Sequence, residues 1–293
     1  MRRRKIWRIV AALLAALVLA AVVPSAVWVR VVSYAVPLDV AEPVRAAVLT
    51  DLHGRSFGRD NARLIAKVRS QSPDMIFLVG DMIGGDADAA DVQRLLRLID
   101  ALCAVAPVYF APGNHELTYM ERDGTLLQQV AQAGAVVVND SYADVMIAGQ
   151  PLRIGGTMGH GFYFGRTQAE FEASPEYRFL TAFEDTDVPK ICLAHMPDTF
   201  IFNGASTLWD VDLAVSGHTH GGLVRLPFIG GLYAPMQGWL PDYDRGYFTL
   251  PGGMQLVISA GLAGHGLIPR INNPPEIVIL ELTPASAQAE GGL

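Results

Sequence analysis

The chain has few cysteines and, beyond its first 45 residues, a deficit of positive charge. Its 293 residues include two cysteines, Cys103 and Cys192. Each stands in an apolar stretch, which indicates a small buried side chain rather than a thiolate metal ligand. Residues 1–45 hold seven Lys and Arg against two Asp and Glu, so residues 46–293 carry a formal net charge of −12. This acidic balance excludes the basic footprint of a protein that binds duplex nucleic acid.

Charge is also missing from residues 9–29, which form one apolar run. At about 1.5 Å per residue, a helix of this length covers the roughly 30 Å hydrocarbon core of a bilayer. It would be apolar on every side, which disfavours a buried core helix. Five basic residues precede the run: Arg2, Arg3, Arg4, Lys5 and Arg8. The positive-inside tendency therefore predicts a single-pass span whose C-terminal side lies outside the cytoplasm.

The N-terminal segment also indicates how the chain is exported and divided. Residues 3–8, Arg-Arg-Lys-Ile-Trp-Arg, resemble a twin-arginine export signal, although an ordinary basic leader explains them nearly as well. Cleavage is disfavoured because Pro24 stands where a signal peptidase needs a small residue. We expect a basic segment and membrane anchor at 1–30, a linker at 31–45, one folded domain at 46–282 and a disordered, small-residue tail at 283–293.

Apolar runs in the first half of the domain alternate with amphipathic segments. Runs at 46–50, 75–79 and 108–110 predict buried strands. Helical spacing predicts helices around 64–68, with Asn61 as the N-cap, and around 92–102. This βαβαβ pattern places polar residues at the carboxyl ends of the strands, where open α/β sheets form their sites. Shorter strands are predicted at 136–138, 144–147, 191–194, 213–216, 255–259 and 277–282.

Five short blocks of metal-binding residue types follow these strands. They are Asp51-x-His53, Gly80-Asp81, Gly113-Asn114-His115-Glu116, His195 and Gly217-His218-Thr219-His220, and they hold five of the seven histidines. Carboxylate, imidazole and amide oxygen ligands suit divalent transition metals such as Mn, Fe or Zn. Seven candidate ligands exceed the four of one structural zinc. Two ions that share a carboxylate fit better, and a spacing of roughly 3.5 to 4 Å suits attack at phosphorus.

All five blocks stand in the order found in the calcineurin-like metallophosphoesterases, and the chain resembles that family over residues 46–282. Residues 217–222, 226–231, 243–246 and 274–277 are most similar to a membrane-associated bacterial branch that includes YkuE and YaeI. The resemblance implies an α/β fold of two packed mixed sheets flanked by helices, in the layer order α/β/β/α, after one transmembrane helix in the bacterial cytoplasmic membrane. The residue pattern alone predicts only a parallel sheet followed by hairpins.

The resemblance also implies a role for each residue of the blocks. One metal would take Asp51, His53, Asp81 and His220, and the other Asp81, Asn114, His195 and His218, so that Asp81 bridges. The nucleophile would be a metal-bridging hydroxide, and His115 the general acid for the leaving oxygen. Residues two apart on an extended segment project to one side, which would aim both ligand pairs inward. Glycines 80, 113 and 217 would permit tight turns.

Three further residues are candidates for contact with substrate or with His115. Arg55 could bind a phosphate, although a solvated arginine is more common. Relatives often carry Gly-Asp-x-x-Asp, whose last Asp supports the catalytic histidine, but Gly84 stands there in this chain. Asp86 or Glu116 would have to replace that contact, and we favour Asp86. The two remaining histidines, at 160 and 265, lie on glycine-flanked loops and are expected to take no part in the chemistry.

Residues 223–240 follow the last ligands and are rich in large apolar side chains. A hairpin packed on the domain explains them. The alternatives are that they rim an apolar pocket for a lipid-linked phosphate ester or rest on the membrane.

The leading hypothesis is a dinuclear metal-dependent phosphohydrolase acting on a phosphomonoester or phosphodiester, with a lipid-linked substrate as one option. An alternative is a hydrolase of lipid precursors like UDP-2,3-diacylglucosamine pyrophosphatase, but its substrate requires a cytoplasmic site, against the charge bias. A metal-containing protein-binding scaffold is disfavoured because every ligand position and His115 are filled.

Overall fold

A computed structural model describes Trp7, Val22, Ser25 and residues 28–158, 167–264 and 269–285. Most of the predicted anchor, most of the predicted tail and the loops that carry His160 and His265 lie outside these residues. Among the helices of the described residues, none combines the length and the apolar character needed to cross a bilayer.

The strands and helices alternate along the first part of the chain and become shorter later. The strands are β1 (Arg30–Leu38), β2 (Val44–Leu49), β3 (Met75–Val79), β4 (Val108–Ala111), β5 (Val136–Val137), β6 (Ser141–Ile147), β7 (Gln150–Thr157), β8 (Lys190–Ala194), β9 (Leu213–Ser216), β10 (Arg225–Leu226), β11 (Gly230–Gly231), β12 (Tyr233–Ala234), β13 (Gly238–Trp239), β14 (Gly246–Thr249), β15 (Gln255–Ile258) and β16 (Glu276–Pro284). The helices are α1 (Ala62–Arg69), α2 (Ala89–Cys103), α3 (Asn114–Met120), α4 (Leu126–Gln132), α5 (Gln168–Glu172), α6 (Pro175–Phe183) and α7 (Asp198–Ile201).

Two six-stranded sheets contain most of these strands. The first has the order β1-β16-β2-β3-β4-β5 and the second the order β14-β15-β9-β8-β7-β6. In the first sheet β2 to β5 are parallel and β16 runs antiparallel to β2. In the second, β15, β9, β8 and β7 are parallel, and the outer strands β14 and β6 are antiparallel to their neighbours. Both sheets are therefore mixed, as the resemblance implies.

Three apolar clusters define the layers. One lies between the sheets and joins Val48 and Phe77 of the first to Ile154 and Val215 of the second. A second packs α1, α2 and α4 on the outer face of the first sheet. A third packs α5, α6 and α7 on the outer face of the second sheet. The central strands are apolar on both faces because each face meets another layer. The predicted α/β/β/α order is confirmed.

The predicted linker at 31–45 is wrong, because Arg30–Leu38 forms β1. This edge strand pairs in parallel along the whole of β16. Val36 and Leu38 are buried whereas Ser33 and Ala35 are exposed. The strand therefore buries fewer side chains than a central strand, and its sequence predicts a strand only weakly beside the long apolar run that precedes it. Residues 283 and 284, assigned to the tail, belong to β16.

Two smaller differences concern caps and missed elements. Asn61 precedes α1, but its side chain makes no cap bond; Asn61 Oδ1 instead accepts from Phe57 N at 2.8 Å and closes the preceding loop. The sequence prediction also missed β7, β14 and helices α3 to α7. Several of these are short, and short elements depend more on tertiary packing than on their own pattern.

The topology brings the carboxyl ends of five strands together. The carboxyl ends of β2, β3 and β4 lead into Asp51, Gly80 and Gly113, while those of β8 and β9 in the other sheet lead into His195 and Gly217. Because the sheets pack face to face, these five loops meet at one edge of the molecule.

Candidate metal centre

The carboxylate of Asp81 is the hub of the site. Its Oδ2 lies 3.1 Å from His195 Nε2, 3.8 Å from His53 Nε2 and 3.9 Å from His115 Nε2, and the residue is 1% exposed. Ligand atoms that bind one ion at about 2.1 Å lie roughly 3 to 4 Å from each other. The spacing around Asp81 therefore fits a carboxylate shared between ions.

The ligand atoms fall into overlapping groups whose members lie within 4.8 Å of one another. Asp51, His53 and His220 form one group, Asp81, His195 and His218 another, and His53, Asp81 and His115 a third. The first group holds three of the four residues assigned to one ion, and the second holds three of the four assigned to the other. The third group links them, because it shares His53 with the first and Asp81 with the second.

Asn114 lies at the start of α3, beside the same carboxylate, since the next residue's amide, His115 N, donates to Asp81 Oδ1 at 2.9 Å. The Oδ1 of Asn114 is buried and accepts no hydrogen bond from the described residues. A buried amide oxygen without a donor is costly, and a cation would satisfy it. The residues present therefore fit a pair of divalent ions.

Backbone carbonyls orient two of the imidazoles. His195 Nδ1 lies 2.8 Å from Val79 O, and His220 Nδ1 lies 3.2 Å from Ala263 O. A carbonyl oxygen can only accept, so Nδ1 carries the hydrogen in both rings and the Nε2 lone pair faces the centre.

Five of the seven predicted ligands have left-handed backbone conformations. The φ angles are 52° for Asp51, 46° for His53, 53° for Asp81, 66° for His218 and 50° for His220. Such conformations cost about 1 kcal/mol or more each and persist only where contacts hold them. The prediction that the ligand pairs lie on extended segments is wrong: the chain turns sharply at each strand end instead.

Contacts between loops hold these turns. Asp51 N donates to Gly80 O at 3.1 Å, and His53 N donates to Asp81 O at 2.9 Å. The Asp51 carboxylate in turn accepts from His218 N at 3.2 Å. The first and second ligand blocks are thereby joined by backbone hydrogen bonds, and the first and fifth by the Asp51 carboxylate and the His218 amide.

The glycines of the blocks mainly allow ligand side chains and their neighbours to pack directly against the backbone. Gly80 has φ 71°, and a Cβ there would lie 2.5 Å from the His195 ring. At Gly113 and Gly217 the φ is not positive, but a Cβ would lie 2.3 Å from Asp81 Oδ1 and 2.1 Å from Thr50 Oγ1, respectively. The tight-turn explanation holds for Gly80; at the other two positions the space is taken by ligand residues and their neighbours.

Glu116 supports the ligand loops rather than His115. It is fully buried, and four backbone amides donate to it: Asp81 N at 2.7 Å and Gly113 N at 2.8 Å to Oε2, and Met82 N at 2.7 Å and Ile83 N at 3.1 Å to Oε1. One carboxylate thus joins the loop after β3 to the loop after β4. Burial, with the charge of Asp81, raises the pKa of Glu116 to about 7.

A backbone amide takes the place that Asp86 was expected to fill. Gly85 N donates to His115 Nδ1 at 2.8 Å, while Asp86 is exposed. Because Nδ1 accepts this bond, the ring hydrogen lies on Nε2, on the side of the Asp81 carboxylate. The Arg122 guanidinium donates to Gly85 O at 2.6 Å and holds the turn.

Arg55 is half-buried rather than freely solvated. Its guanidinium lies 4.8 Å from the centre of the Phe57 ring and donates to Leu262 O at 3.4 Å. Burial lowers the pKa of Arg55. Its contact with a phosphate stays a prediction.

Burial and close charges shift the titration of the ligands. Burial, together with the charge of Asp81 and against that of His195, raises the pKa of Asp51 to about 6. Burial would also raise the pKa of Asp81, but the imidazoles of His195, His53 and His115 hold it well below its usual value. Burial would lower the pKa of His195, but Asp81 and Asp51 raise it to about 10. The centre therefore favours positive charge, whether protons or metal ions supply it.

We predict that metal ions stabilise the protein more at pH 8 than at pH 5.5. Without metal, the raised pKa values of Asp51 and Glu116 give stability that is lost as pH rises through about 4 to 7, and the raised pKa of His195 gives stability that is lost from about 6.5 upward. Metals need deprotonated ligands, so their gain grows over this range. Thermal unfolding of metal-stripped and Mn- or Zn-loaded protein at both pH values measures it. An equal increase in Tm at both would contradict the prediction.

We predict that Glu116→Gln weakens metal binding by about 10- to 100-fold, the usual effect of losing a group that orients ligands, and lowers Tm. The new NH₂ group would face backbone N–H groups that now donate hydrogen bonds to the carboxylate, so donors would meet donors. Metal titration and thermal unfolding test this. Glu121→Gln, at an exposed position one turn further along, is the matched control. Wild-type metal affinity in Glu116→Gln would show that the loops hold their positions without the carboxylate.

Comparison with known proteins finds several metallophosphoesterases that are similar to this chain. YaeI, a phosphodiesterase of Escherichia coli K12, is 27% identical to this chain over 249 residues, which cover 83% of the chain and 84% of YaeI. An uncharacterised metallophosphoesterase of Campylobacter jejuni is 29% identical over 249 residues, 83% of this chain and 60% of that protein. The YkuE metallophosphoesterase of Bacillus subtilis is 25% identical over 226 residues, 76% of this chain and 72% of YkuE.

The chain thus spans most of YaeI but only 60% of the length of the Campylobacter relative. The model of the calcineurin-like phosphoesterase family matches residues 44–222, more than half of the 293. This stretch contains all five ligand blocks and the strands that lead into them. The resemblance seen in the sequence is confirmed, and the chain belongs to the calcineurin-like phosphoesterase family.

Proposed function

We propose that this chain is a dinuclear metal-dependent phosphohydrolase. The observation that carries the proposal is the pair of ligand groups, one of Asp51, His53 and His220 and the other of Asp81, His195 and His218. The Asp81 carboxylate joins them, because its Oδ2 lies 3.1 Å from His195 Nε2 and 3.8 Å from His53 Nε2. The E. coli relative is named a phosphodiesterase, which favours a phosphodiester over a phosphomonoester as the substrate.

Two divalent ions, when bound, supply an activated water and offset the charge of the phosphate. The residues that would hold them are Asp51, His53, Asp81 and His220 for one ion, and Asp81, Asn114, His195 and His218 for the other. Imidazole and oxygen ligands without a thiolate suit Mn, Fe or Zn.

His115 is the residue that we propose for contact with the leaving oxygen. Its side chain is 26% exposed, so a substrate can reach it, and its ring meets that of His53 edge to face at 4.7 Å between centres. The Gly85 amide keeps the hydrogen on Nε2. From there the Nε2–H of His115 would donate a hydrogen bond to the oxygen that leaves phosphorus and so stabilise the charge that develops on it.

We predict that His115→Asn keeps both metals but loses rate, and loses more on alkyl than on nitrophenyl phosphate esters. A more basic leaving oxygen gains more from a hydrogen donor. Asp81→Asn, the comparison variant, should lose metal and activity on both substrates because it weakens the shared ligand. Elemental analysis and rates on the two substrates measure these effects. Equal losses of rate on both esters would contradict the proposed contact between His115 and the leaving oxygen. Near-normal turnover with two ions in Asp81→Asn would contradict the dinuclear assignment.

We also propose that residues 9–29 anchor the chain in the bacterial cytoplasmic membrane, with the described domain outside the cytoplasm. The basic cluster before Ile9 and the uncharged run support this. A phosphate ester borne by a lipid would then be within reach of the site.

We predict that a reporter enzyme fused after Leu293 is active if it is of a kind that works outside the cytoplasm, and inactive if it is of a kind that works inside. An alkaline phosphatase fusion that is active, beside an inactive cytoplasmic reporter fusion, is the expected result. A cytoplasmic signal would contradict this topology and favour the lipid-precursor alternative. Changing Arg3 and Arg4 to Lys separates the routes: export that stops identifies the twin-arginine route, and export that continues identifies an ordinary anchor.

A further inference from the structure

Two short hairpins directly after the ligand His220 expose a group of large apolar side chains. The hairpins are β10–β11, which pairs Arg225 with Gly231, and β12–β13, which pairs Tyr233 with Trp239. Phe228 is 109% exposed, Trp239 76% and Ile229 61%. We call the exposed group the apolar platform: Leu226, Phe228, Ile229, Tyr233, Met236, Trp239 and Leu240. The prediction that this segment packs on the domain is therefore wrong for these side chains, and a patch of this kind marks a binding surface.

The platform rests on a hydrogen-bonded base. Leu232 N donates to Val224 O and Leu240 N donates to Leu232 O, both at 2.9 Å, which joins the two hairpins. The Asp244 carboxylate accepts from Gly231 N at 2.6 Å and from the Arg225 guanidinium at 2.7 Å. The backbone is thus held against the domain while the apolar side chains of the platform stay exposed.

The apolar run of residues 9–29 meets the domain at this base. Ser25, which is 1% exposed, has its Oγ 2.9 Å from Asn273 N, which donates to it. The side chain of Asn273 donates in turn to His220 O at 2.7 Å and to Leu223 O at 3.2 Å. One asparagine therefore connects the end of the run to the residue where the hairpin segment begins.

Cations and an exposed tryptophan surround the same junction. Trp28 is 68% exposed and borders a cavity lined also by Arg63 and Lys67 of α1. Lys67 Nζ donates to Val29 O at 2.5 Å. Trp28 is three positions after Ser25 in the chain, a distance of at most about 11 Å. A tryptophan beside cations is typical of a membrane interface, where the charges face anionic headgroups, and it stands out in a domain with a large acidic excess.

We propose that the apolar platform inserts into the surface of the bilayer that the part of the N-terminal run before Ser25 enters. The platform side chains would enter the boundary between headgroups and acyl chains, to a depth of about 5 to 10 Å, with the α1 cations near anionic headgroups. This inference rests on the proposed anchor and goes beyond it. It also narrows the substrate class of the proposed enzyme. His220 lies six residues before Leu226, the first residue of the platform, and Asn273 joins it to Leu223, so the centre would lie near headgroup level and favour phosphate esters of lipids.

The full-length protein in vesicles of phosphatidylcholine and phosphatidylglycerol tests the platform. Phe228→Cys, made together with Cys103→Ser because Cys103 is partly exposed, carries an environment-sensitive fluorophore. Cys192 is buried and stays. Met146→Cys, at a 65% exposed position on β6, is the matched control. We expect a blue-shifted emission at position 228 that nitroxide-labelled lipids quench, and neither effect at position 146.

Three outcomes would overturn the proposal. If the protein floats with the vesicles but the emission is the same and unquenched at positions 228 and 146, the proposed anchor is supported and insertion of the platform is contradicted. A protein that does not float removes both. A blue shift at position 228 that nitroxide lipids do not quench, and that disappears when the protein is diluted into excess lipid, assigns the platform to a second copy of the chain.

The proposed catalytic function is measured separately in the same samples. Phe228 is not part of the metal centre, so the labelled variant should hydrolyse a soluble nitrophenyl phosphodiester at the wild-type rate. Failure of that hydrolysis in the wild type would count against the enzyme and leave the membrane contact standing.

Discussion

Three carboxylates without access to water, those of Asp51, Asp81 and Glu116, are the constraint on which the rest of the site depends. Burying an unpaired charge costs several kcal/mol, so each one must be compensated where it stands. Glu116 is compensated by four backbone amides. Asp81 is compensated by imidazoles, and two divalent cations would compensate it further, together with Asp51. The loops that end five strands are arranged around this need.

The left-handed ligands follow from the same constraint. To direct amides at Glu116 and side chains at Asp81, the chain must reverse direction within one or two residues of each strand end, and positive φ achieves this. The strain is held by contacts between loops distant in sequence, such as Asp51 N with Gly80 O. A bound ion pair would add to these contacts, so the metal-free protein pays for both strain and buried charge. Its stability should therefore depend on metals more than its apolar core would suggest.

The sequence predicted the ligand set because the blocks keep their order and residue types, and it predicted the central strands because they are apolar on both faces. It could not predict how the ligands are aimed, since that depends on backbone contacts such as those between the loops of Asp51 and Asp81. The roles of Glu116 and Gly85 were missed for a related reason: backbone amides act as donors in any residue and leave no mark in the sequence. β1 was missed because an edge strand buries only some of its side chains.

Exposure of the apolar platform also lay beyond sequence reasoning, because a run of apolar residues does not reveal which neighbour covers it. The structure shows how the platform is connected to the apolar run and to the metal centre. Asn273 is fully buried and contacts Ser25 of the apolar run, His220 of the metal centre and Leu223 at the start of the hairpin segment. Arg245 holds its Oδ1 at 3.0 Å. The three segments cannot move independently while these bonds persist, so the proposed insertion of the run into a bilayer would also set the orientation of the centre toward it.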